Sequence, residues 1–442
     1  MSKTASASWF AEKIGNRTMK GIAQETRSLI RVGTLPVGTK LPAIRDLAFE
    51  LGVSPATISE AWSDLRRQKI ITGRGRNGTF VSADSVVAKP ERLASAGHYG
   101  PDVLDLSVAS PDTALLPSLA GALAHGARAE GLNSYERNRI LPELEEAVRE
   151  SWPYDPGAFL VTNGGYNAVY TLLHALVRPG SAVAIEDPTA MRLLDILEDL
   201  GVEILPVACD AQGPLPASLA NALARKPAAF LFQPRLHSVT GRTVSRERLD
   251  VLAGVLAGTS TLIVEDDGVG DISTAPRQTL GARFPDRVIH ILSYSKTLGP
   301  DLRLAVLSSS AAIVEEIQSY RSFSSGWTSR ILQGATAWLL RDPETEACLA
   351  RARAIYRERR ERVAAALERG GIRIEPAGDG LCVWMPVASE SYALVTLAAR
   401  GIAVHAGAKF SVAPTPFVRV ATARLAANHE RVADALRTAA RS

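Results

Sequence analysis

The sequence predicts an α/β chain in two parts: a small helix-turn-helix head and a large body built around a mostly parallel sheet. Three observations predict it. Charge divides at residue 82. Residues 1–82 hold 13 Lys and Arg against 6 Asp and Glu, a net of +7, while the rest of the 442-residue chain holds 37 against 40, a net of −3. Within the head, Ala43 to Arg67 reads as a helix, a Gly-centred turn and a second helix. Beyond about residue 103, short apolar runs alternate with longer amphipathic stretches, the βαβ pattern of a parallel sheet.

The elements follow in order. Arg17 to Arg31 carries Ile22, Leu29 and Ile30 on one helical face, and Gly33 to Pro42 breaks that helix. Ala43 to Leu51 is the next helix and stops at Gly52. Ser54 is an N-cap with Pro55 just inside it, and Ile58, Ala61, Trp62 and Leu65 share the apolar face that follows. Ile70–Thr72 and Thr79–Val81 flank GRGRNG as a small hairpin. From Ala83 to Val103 the periodicity fades and Pro90, Gly97, Gly100 and Pro101 mark a linker. The expected domains are therefore 1–82, a linker at 83–103, and a body at 104–442. In the body the expected strands are Phe159–Thr162, Ala182–Ile185, Ala229–Phe232, Thr261–Glu265 and Val288–Leu292. A smaller α/β subdomain, from about 325, holds a charged helix over Thr345–Gly370 and strands at Leu381–Met385 and Phe417–Val420.

Composition excludes several classes. No run approaches the ~18 uncharged apolar residues of a membrane span, and the N-terminal stretch lacks the apolar core of a signal peptide. Cys209, Cys348 and Cys382 stand far apart in no metal-ligand spacing. The expectation is a cytoplasmic protein with no metal and no membrane. The tryptophans Trp327, Trp338 and Trp384 are expected to pack, and the arginine run Arg351–Arg362 to form a solvated helix face.

The basic head suggests a polyanionic partner. A recognition helix would offer Ser54, Thr57 and Ser59 to base edges, with Lys40 and Arg45 beside it and Arg74 and Arg76 on the hairpin for phosphates or the minor groove. From periodicity alone, a helical protein-interaction module stays open beside double-stranded DNA.

In the body, lysine is scarce: beyond residue 82 there are only Lys89, Lys226, Lys296 and Lys409. Lys296 lies in SYSKT directly after an apolar run, at a strand end where α/β folds bind ligands. A partly buried lysine there is suited to Schiff-base chemistry, and Arg303 could hold a phosphate. TNGGYNA, Thr162 to Ala168, is a strand-to-helix turn able to cradle an anion. EDD, Glu265 to Asp267, ends another strand with a carboxylate that could pair with a protonated pyridine nitrogen. A surface lysine and plain turns remain the bland reading of each feature alone.

Two resemblances sharpen this. Leu41 to Val81 resembles the winged helix-turn-helix of the GntR family through Leu41-Pro42, Arg45-Asp46-Leu47-Ala48, Leu51-Gly52-Val53-Ser54, Thr57-Ile58, Leu65 and Gly78-Thr79-Phe80-Val81. One departure is Pro55, where that family usually has arginine. The body, from about Val103 to Leu436, resembles fold-type I enzymes of the aminotransferase class, which implies pyridoxal 5'-phosphate (PLP). By that resemblance Lys296 is the Schiff-base lysine and Asp266 the partner of the pyridine nitrogen. Gly164, Gly165 and Tyr166 form the phosphate turn, and Ser293 and Arg303 complete it. Tyr135 is the tyrosine that reaches a neighbouring subunit's phosphate, and Arg419, in FVRVA, grips an effector carboxylate. Ser238 stands where an asparagine or tyrosine is expected. Gly268 and Val269 replace the usual tyrosine after the aspartate, and Ala190 replaces the ring-stacking aromatic.

Joined in one chain, the two halves resemble the MocR/GabR class of bacterial transcriptional regulators. That resemblance implies a homodimer, an operator in double-stranded DNA, and an amino acid or amine effector acting through PLP. The alternative it leaves is a working aminotransferase with an accessory DNA-binding head.

Overall fold

The computed structural model describes residues 4–31, 33–73, 77–82, 90–94, 99–100, 102–374, 378–413 and 415–441. It divides into two compact units. The first comprises Met1–Glu91 with Arg178–Ser181 and Asp195–Glu203, and the second Arg92–Val177, Ala182–Leu194 and Ile204–Ser442.

The first unit holds helices Ala7–Lys13, Met19–Arg31, Ile44–Leu51 and Pro55–Arg67. The three expected helices are joined by a fourth, Ala7–Lys13. Its single fully buried residue, Phe10, leaves no period to read in sequence; the segment is held by tertiary contact, with Phe10 edge-on to Trp62 at 5.9 Å between ring centroids. The Ile44–Leu51 helix ends at Gly52, whose φ of 65° is the left-handed conformation that glycine favours. Ser54 caps the next helix, its Oγ accepting from the Thr57 amide at 3.1 Å. Leu47, Ile58, Trp62 and Leu65 close a core with Ile22. Ile71–Gly73 and Thr79–Val81 pair antiparallel as the hairpin, the first strand starting one residue later than expected. Most of the expected linker lies outside the described residues, apart from a helical turn at Glu91–Ala94.

The second unit carries an eight-stranded sheet in the order Ala158–Thr162, Ala305–Ser309, Val288–Ser293, Leu262–Asp267, Ala229–Phe232, Ala182–Asp187, Glu203–Asp210 and Gly213–Pro214. The four strands from Val288–Ser293 to Ala182–Asp187 are parallel neighbours. Ala305–Ser309 runs antiparallel between Val288–Ser293 and Ala158–Thr162. The sheet is thus parallel in its centre and mixed at its margin. The smaller subdomain has an antiparallel three-stranded sheet of Cys382–Pro386, Phe417–Ala421 and His405–Ala406. A 27-residue helix, Pro343–Arg369, packs beside it.

The arginine run on that helix meets its expectation in part: Arg351, Arg357 and Arg362 are exposed, while three others turn inward. Arg353 Nε donates to Asp271 O at 2.6 Å, Arg359 Nη1 bonds Asp112 Oδ2 at 2.8 Å, and buried Arg360 donates to Gly380 O at 3.1 Å. These three tie the helix inward, because a long arginine stem reaches over an apolar face to carbonyls beyond it. Trp384 packs as expected, stacked on Phe417 at 5.1 Å.

Candidate functional site

The site forms at the C-terminal ends of the central parallel strands. Asp266 is the last residue but one of Leu262–Asp267 and sits opposite Ile291 in register; Ser293 ends the neighbouring strand, and Lys296 lies in the turn after it. Apolar runs bring these polar residues to one edge because each strand is buried along its length and becomes polar only where it stops.

Asp266 is buried. Burial, assisted by neighbouring Asp267, pushes its carboxyl up to about 6, against the hydrogen bond from Gln233 and the opposing influence of His290. Gln233 Nε2 donates to Asp266 Oδ2 at 2.8 Å, while Gln233 Oε1 accepts from both the amide and the hydroxyl of Ser238 at 2.9 Å. Gln233 thus links two expected site residues, and sequence reasoning missed it. The available signal was a polar residue directly after the apolar strand Ala229–Phe232, the placement that singled out Lys296.

Lys296 is half-buried and Nζ donates to Ala109 O. Burial, with the charge of Arg419, pushes its amine down to about 8, which the Cys382 thiol partly opposes. The neutral, nucleophilic form is therefore within easy reach of neutral pH.

The turn before helix Gly165–Leu176 is shaped for an anion. Gly164 has φ 99°, and a Cβ there would stand 3.4 Å from Arg303 Nη2. A Cβ on Gly165 would stand 3.2 Å from Ser293 Cβ and 4.0 Å from Asp266 Oδ1. Gly164, Gly165, Ser293, Arg303 and Asp266 are therefore one cluster, opening on the amides of a helix N-terminus. Arg303 donates to Asn163 O at 3.0 Å. Behind it, buried Arg321 donates to Val161 O and, at 2.7 Å, to Thr328 Oγ1, which bonds Asn163 Oδ1 at 3.0 Å. Arg321 braces the turn and was also missed, since only the fold brings it there.

Tyr166 lies under Arg192, whose guanidinium carbon is 4.4 Å from the ring centroid; burial, with Asp266, pushes the phenol up to about 12. Ala190 is buried. His237 Nδ1 accepts from the amides of Val239 and Thr240, Nε2 donates to Pro188 O at 2.8 Å, and burial pushes the ring down to about 4. It is a neutral structural histidine. Tyr294 belongs to the apolar core. Arg419 is buried, its Nη2 donates to Ser107 O, and its guanidinium lies 4.4 Å from the centre of the Phe410 ring. Tyr135 stands apart from this cluster, 87% exposed and edge-on to Trp327.

An amine, a buried acid and an anion turn thus share one floor. That donor set fits a phosphorylated pyridine aldehyde: the turn with Arg303 and Ser293 for phosphate, Asp266 for ring nitrogen, Lys296 for the aldehyde. Such a cofactor would supply an electron-withdrawing ring beside the lysine amine.

In the head, Arg45, Ser54 and Ser59 are exposed and Thr57 is half-buried, its Oγ1 2.9 Å from Ser54 Oγ. The Lys40 side chain runs against Gly78 of the hairpin, where a Cβ would stand 3.0 Å from Lys40 Cε. Arg74 and Arg76 lie outside the described residues.

Comparison with known proteins agrees with this layout. Residues 101–436 match the aminotransferase class I and II family, and residues 18–81 the bacterial regulatory proteins of the gntR family. The vitamin B6 salvage pathway transcriptional repressor PtsJ of Salmonella typhimurium is 33% identical over 93% of this chain and 96% of its own. The pyridoxine biosynthesis transcriptional regulator PdxR of Corynebacterium glutamicum is 26% identical over 87% of each. Among solved structures, LysN, an α-aminoadipate aminotransferase of Thermus thermophilus, shares the fold with a TM-score of 0.68 and 23% identity, over 77% of this chain and 93% of its own. No helix among the described residues is long and apolar enough to cross a membrane. The chain belongs to the MocR-type GntR transcriptional regulators, in which a gntR-family helix-turn-helix is fused to an aminotransferase class I and II body.

Proposed function

We propose that the body is a PLP sensor that controls the head's grip on an operator. The carrying observation is the convergence of Lys296, Asp266 and the Gly164–Gly165 turn in a chain that begins with a gntR-family DNA reader. In this reading Lys296 takes PLP covalently. Asp266, held by Gln233, faces the ring nitrogen, and Gly164, Gly165, Tyr166, Ser293 and Arg303 hold the phosphate. Ser238 completes the ring contacts, and Arg419 takes the carboxylate of an amino acid effector joined to the cofactor. Lys40, Arg45, Ser54, Thr57, Ser59, Arg74 and Arg76 form the DNA face. The body pairs as a homodimer, with the exposed Tyr135 reaching the second copy's site. The domains divide at 82 and 103. The names of the relatives PtsJ and PdxR support vitamin B6 genes as the regulated set.

Coupling between sites requires only that ligand favour one of two arrangements of the heads. Turnover needs more. The small or aliphatic residues at Gly268, Val269 and Ala190 offer no hydroxyl or aromatic surface to steer the ring, which argues for sensing over transamination. PLP added to the full chain should produce a visible absorption band and change DNA affinity, and Lys296→Ala should abolish both. A band that survives Lys296→Ala, or sustained amino-acid turnover at ordinary enzyme rates, overturns the proposal.

A further inference from the structure

The small sheet holds a histidine that this reading leaves unused. His405 stands directly opposite Arg419 in the antiparallel pairing of His405–Ala406 with Phe417–Ala421. Residues directly opposite one another share a face of the sheet. Both are buried, at 2% and 8% exposed.

The tautomer of His405 follows from its neighbour. Lys409 Nζ lies 3.4 Å from His405 Nδ1. An ammonium can only donate, so Nδ1 holds the lone pair and Nε2 holds the proton. That Nε2–H has no hydrogen-bond partner among the described residues. Burial, with the charges of Arg419 and Lys409, pushes the ring down to about 3, so it stays neutral and keeps this one donor at physiological pH.

Arg419 presents the same deficit. Its Nη2 bonds Ser107 O, but its Nε is also buried without a partner among the described residues. The Phe410 ring lies against both, 4.4 Å from the Arg419 guanidinium carbon and 5.9 Å from the His405 centroid. Two buried N–H donors on one sheet face, packed around one ring, thus lack acceptors. Buried donors are almost always satisfied, so a shared deficit marks a place built for an acceptor brought from outside. The positive charges of Arg419 and Lys409 select an oxyanion over a neutral carbonyl.

We propose that His405 is a specificity residue that joins Arg419 in holding the carboxylate of an amino acid effector, so that the body separates amino acids from amines lacking that group. The proposal rests on the reading of the body as a PLP and effector domain. It is tested on the full-length, PLP-loaded chain by titrating L-alanine against ethylamine and L-leucine against isopentylamine, followed by the visible cofactor band. The wild-type chain should bind the amino acid of each pair more tightly. His405→Leu should reduce that preference roughly 10- to 150-fold, the range of one hydrogen bond to a charged group, and leave amine and PLP affinity unchanged. Should that variant not fold, the isosteric pair His405→Gln and His405→Glu carries the same test: glutamine retains a donor and most of the preference, while glutamate abolishes it. Equal losses for amino acid and amine, or equal behaviour of the glutamine and glutamate variants, overturn the proposal. A wild-type chain that takes up PLP yet shows no preference overturns the carboxylate role of His405, and of Arg419 with it, and leaves the cofactor reading standing. One that takes up no PLP ends the cofactor reading, and this one with it, before any variant is made.

Discussion

Replacing Gly165 by alanine separates the cradle from the fold. Gly165 is not among the glycines with positive φ, so alanine needs no strained backbone there. It opens helix Gly165–Leu176, where alanine is the better helix former by up to about 1 kcal/mol. The added methyl would stand 3.2 Å from Ser293 Cβ, 3.5 Å from Ser293 Oγ and 4.0 Å from Asp266 Oδ1. Ser293 is fixed by its pairing with Ala305 across the sheet, so it can yield only a few tenths of an ångström. The methyl therefore fills the space between the helix amides and the acid. Losing one hydrogen bond to a doubly charged phosphate is worth about 1.5–3 kcal/mol, or roughly 10- to 150-fold in affinity. The assay pairs thermal unfolding of the cofactor-free chain with PLP titration by visible absorbance. The expected result is an unfolding temperature close to wild type and PLP affinity at least tenfold weaker. Gly164→Ala is the contrast: at φ 99° it forces alanine into a strained region and should destabilise the fold by about 1–3 kcal/mol as well. An intact Gly165→Ala chain that binds PLP within twofold of wild type refutes the cradle.

Two further outcomes can be checked alongside. Asp266→Asn should flatten the pH dependence of the cofactor-free chain: an acid raised to about 6 when folded gives stability below about 4 that is lost as pH rises through about 6, up to about 3 kcal/mol. Denaturation midpoints at pH 5 and 7 measure this, and equal slopes in both proteins would contradict it. Ser54→Ala removes the hydroxyl that caps the recognition helix, and should cost about 1 kcal/mol. The head's unfolding transition reads that loss, with DNA affinity falling in step; a cap that contributes nothing would leave both unchanged.

What was legible in the sequence was whatever is carried by period or by local chemistry. Ala229–Phe232 is read to the residue because four consecutive apolar side chains are buried on both faces. Ser54 announced its cap because capping uses only the backbone three residues ahead. Glu203–Asp210 was not read, since its buried and exposed residues follow no regular alternation. Ala305–Ser309 was hidden by two serines that sit in a buried strand, Ser308 bonding Trp152 Nε1 at 2.8 Å and Ser309 bonding Val288 O at 2.7 Å. Arg321 and His405 share that difficulty. Each is polar, and its partners lie on other elements, so its role exists only after the strands have been ordered.

The polar groups of the site are poorly served by the protein alone, and that bears on what it does. Asp266 is ionised at neutral pH against its burial, Lys296 is held toward neutrality, and Arg419 and His405 each bury a donor that has no acceptor among the described residues. These are costs of the ligand-free fold, gathered at one place. A ligand offering a basic ring nitrogen, a carbonyl for the amine and oxyanions for the donors relieves all of them together. Such a ligand shifts the heads by the difference in its affinity for their two arrangements, and a tenfold difference, about 1.4 kcal/mol, already falls within the 1–3 kcal/mol typical of coupling between regulatory sites. Sensing therefore needs no chemistry beyond binding. Transamination would in addition require the ring to be steered through proton transfers, and Gly268, Val269 and Ala190 supply no group to steer it. Under the sensing proposal, transamination is the alternative that needs groups these three positions do not supply.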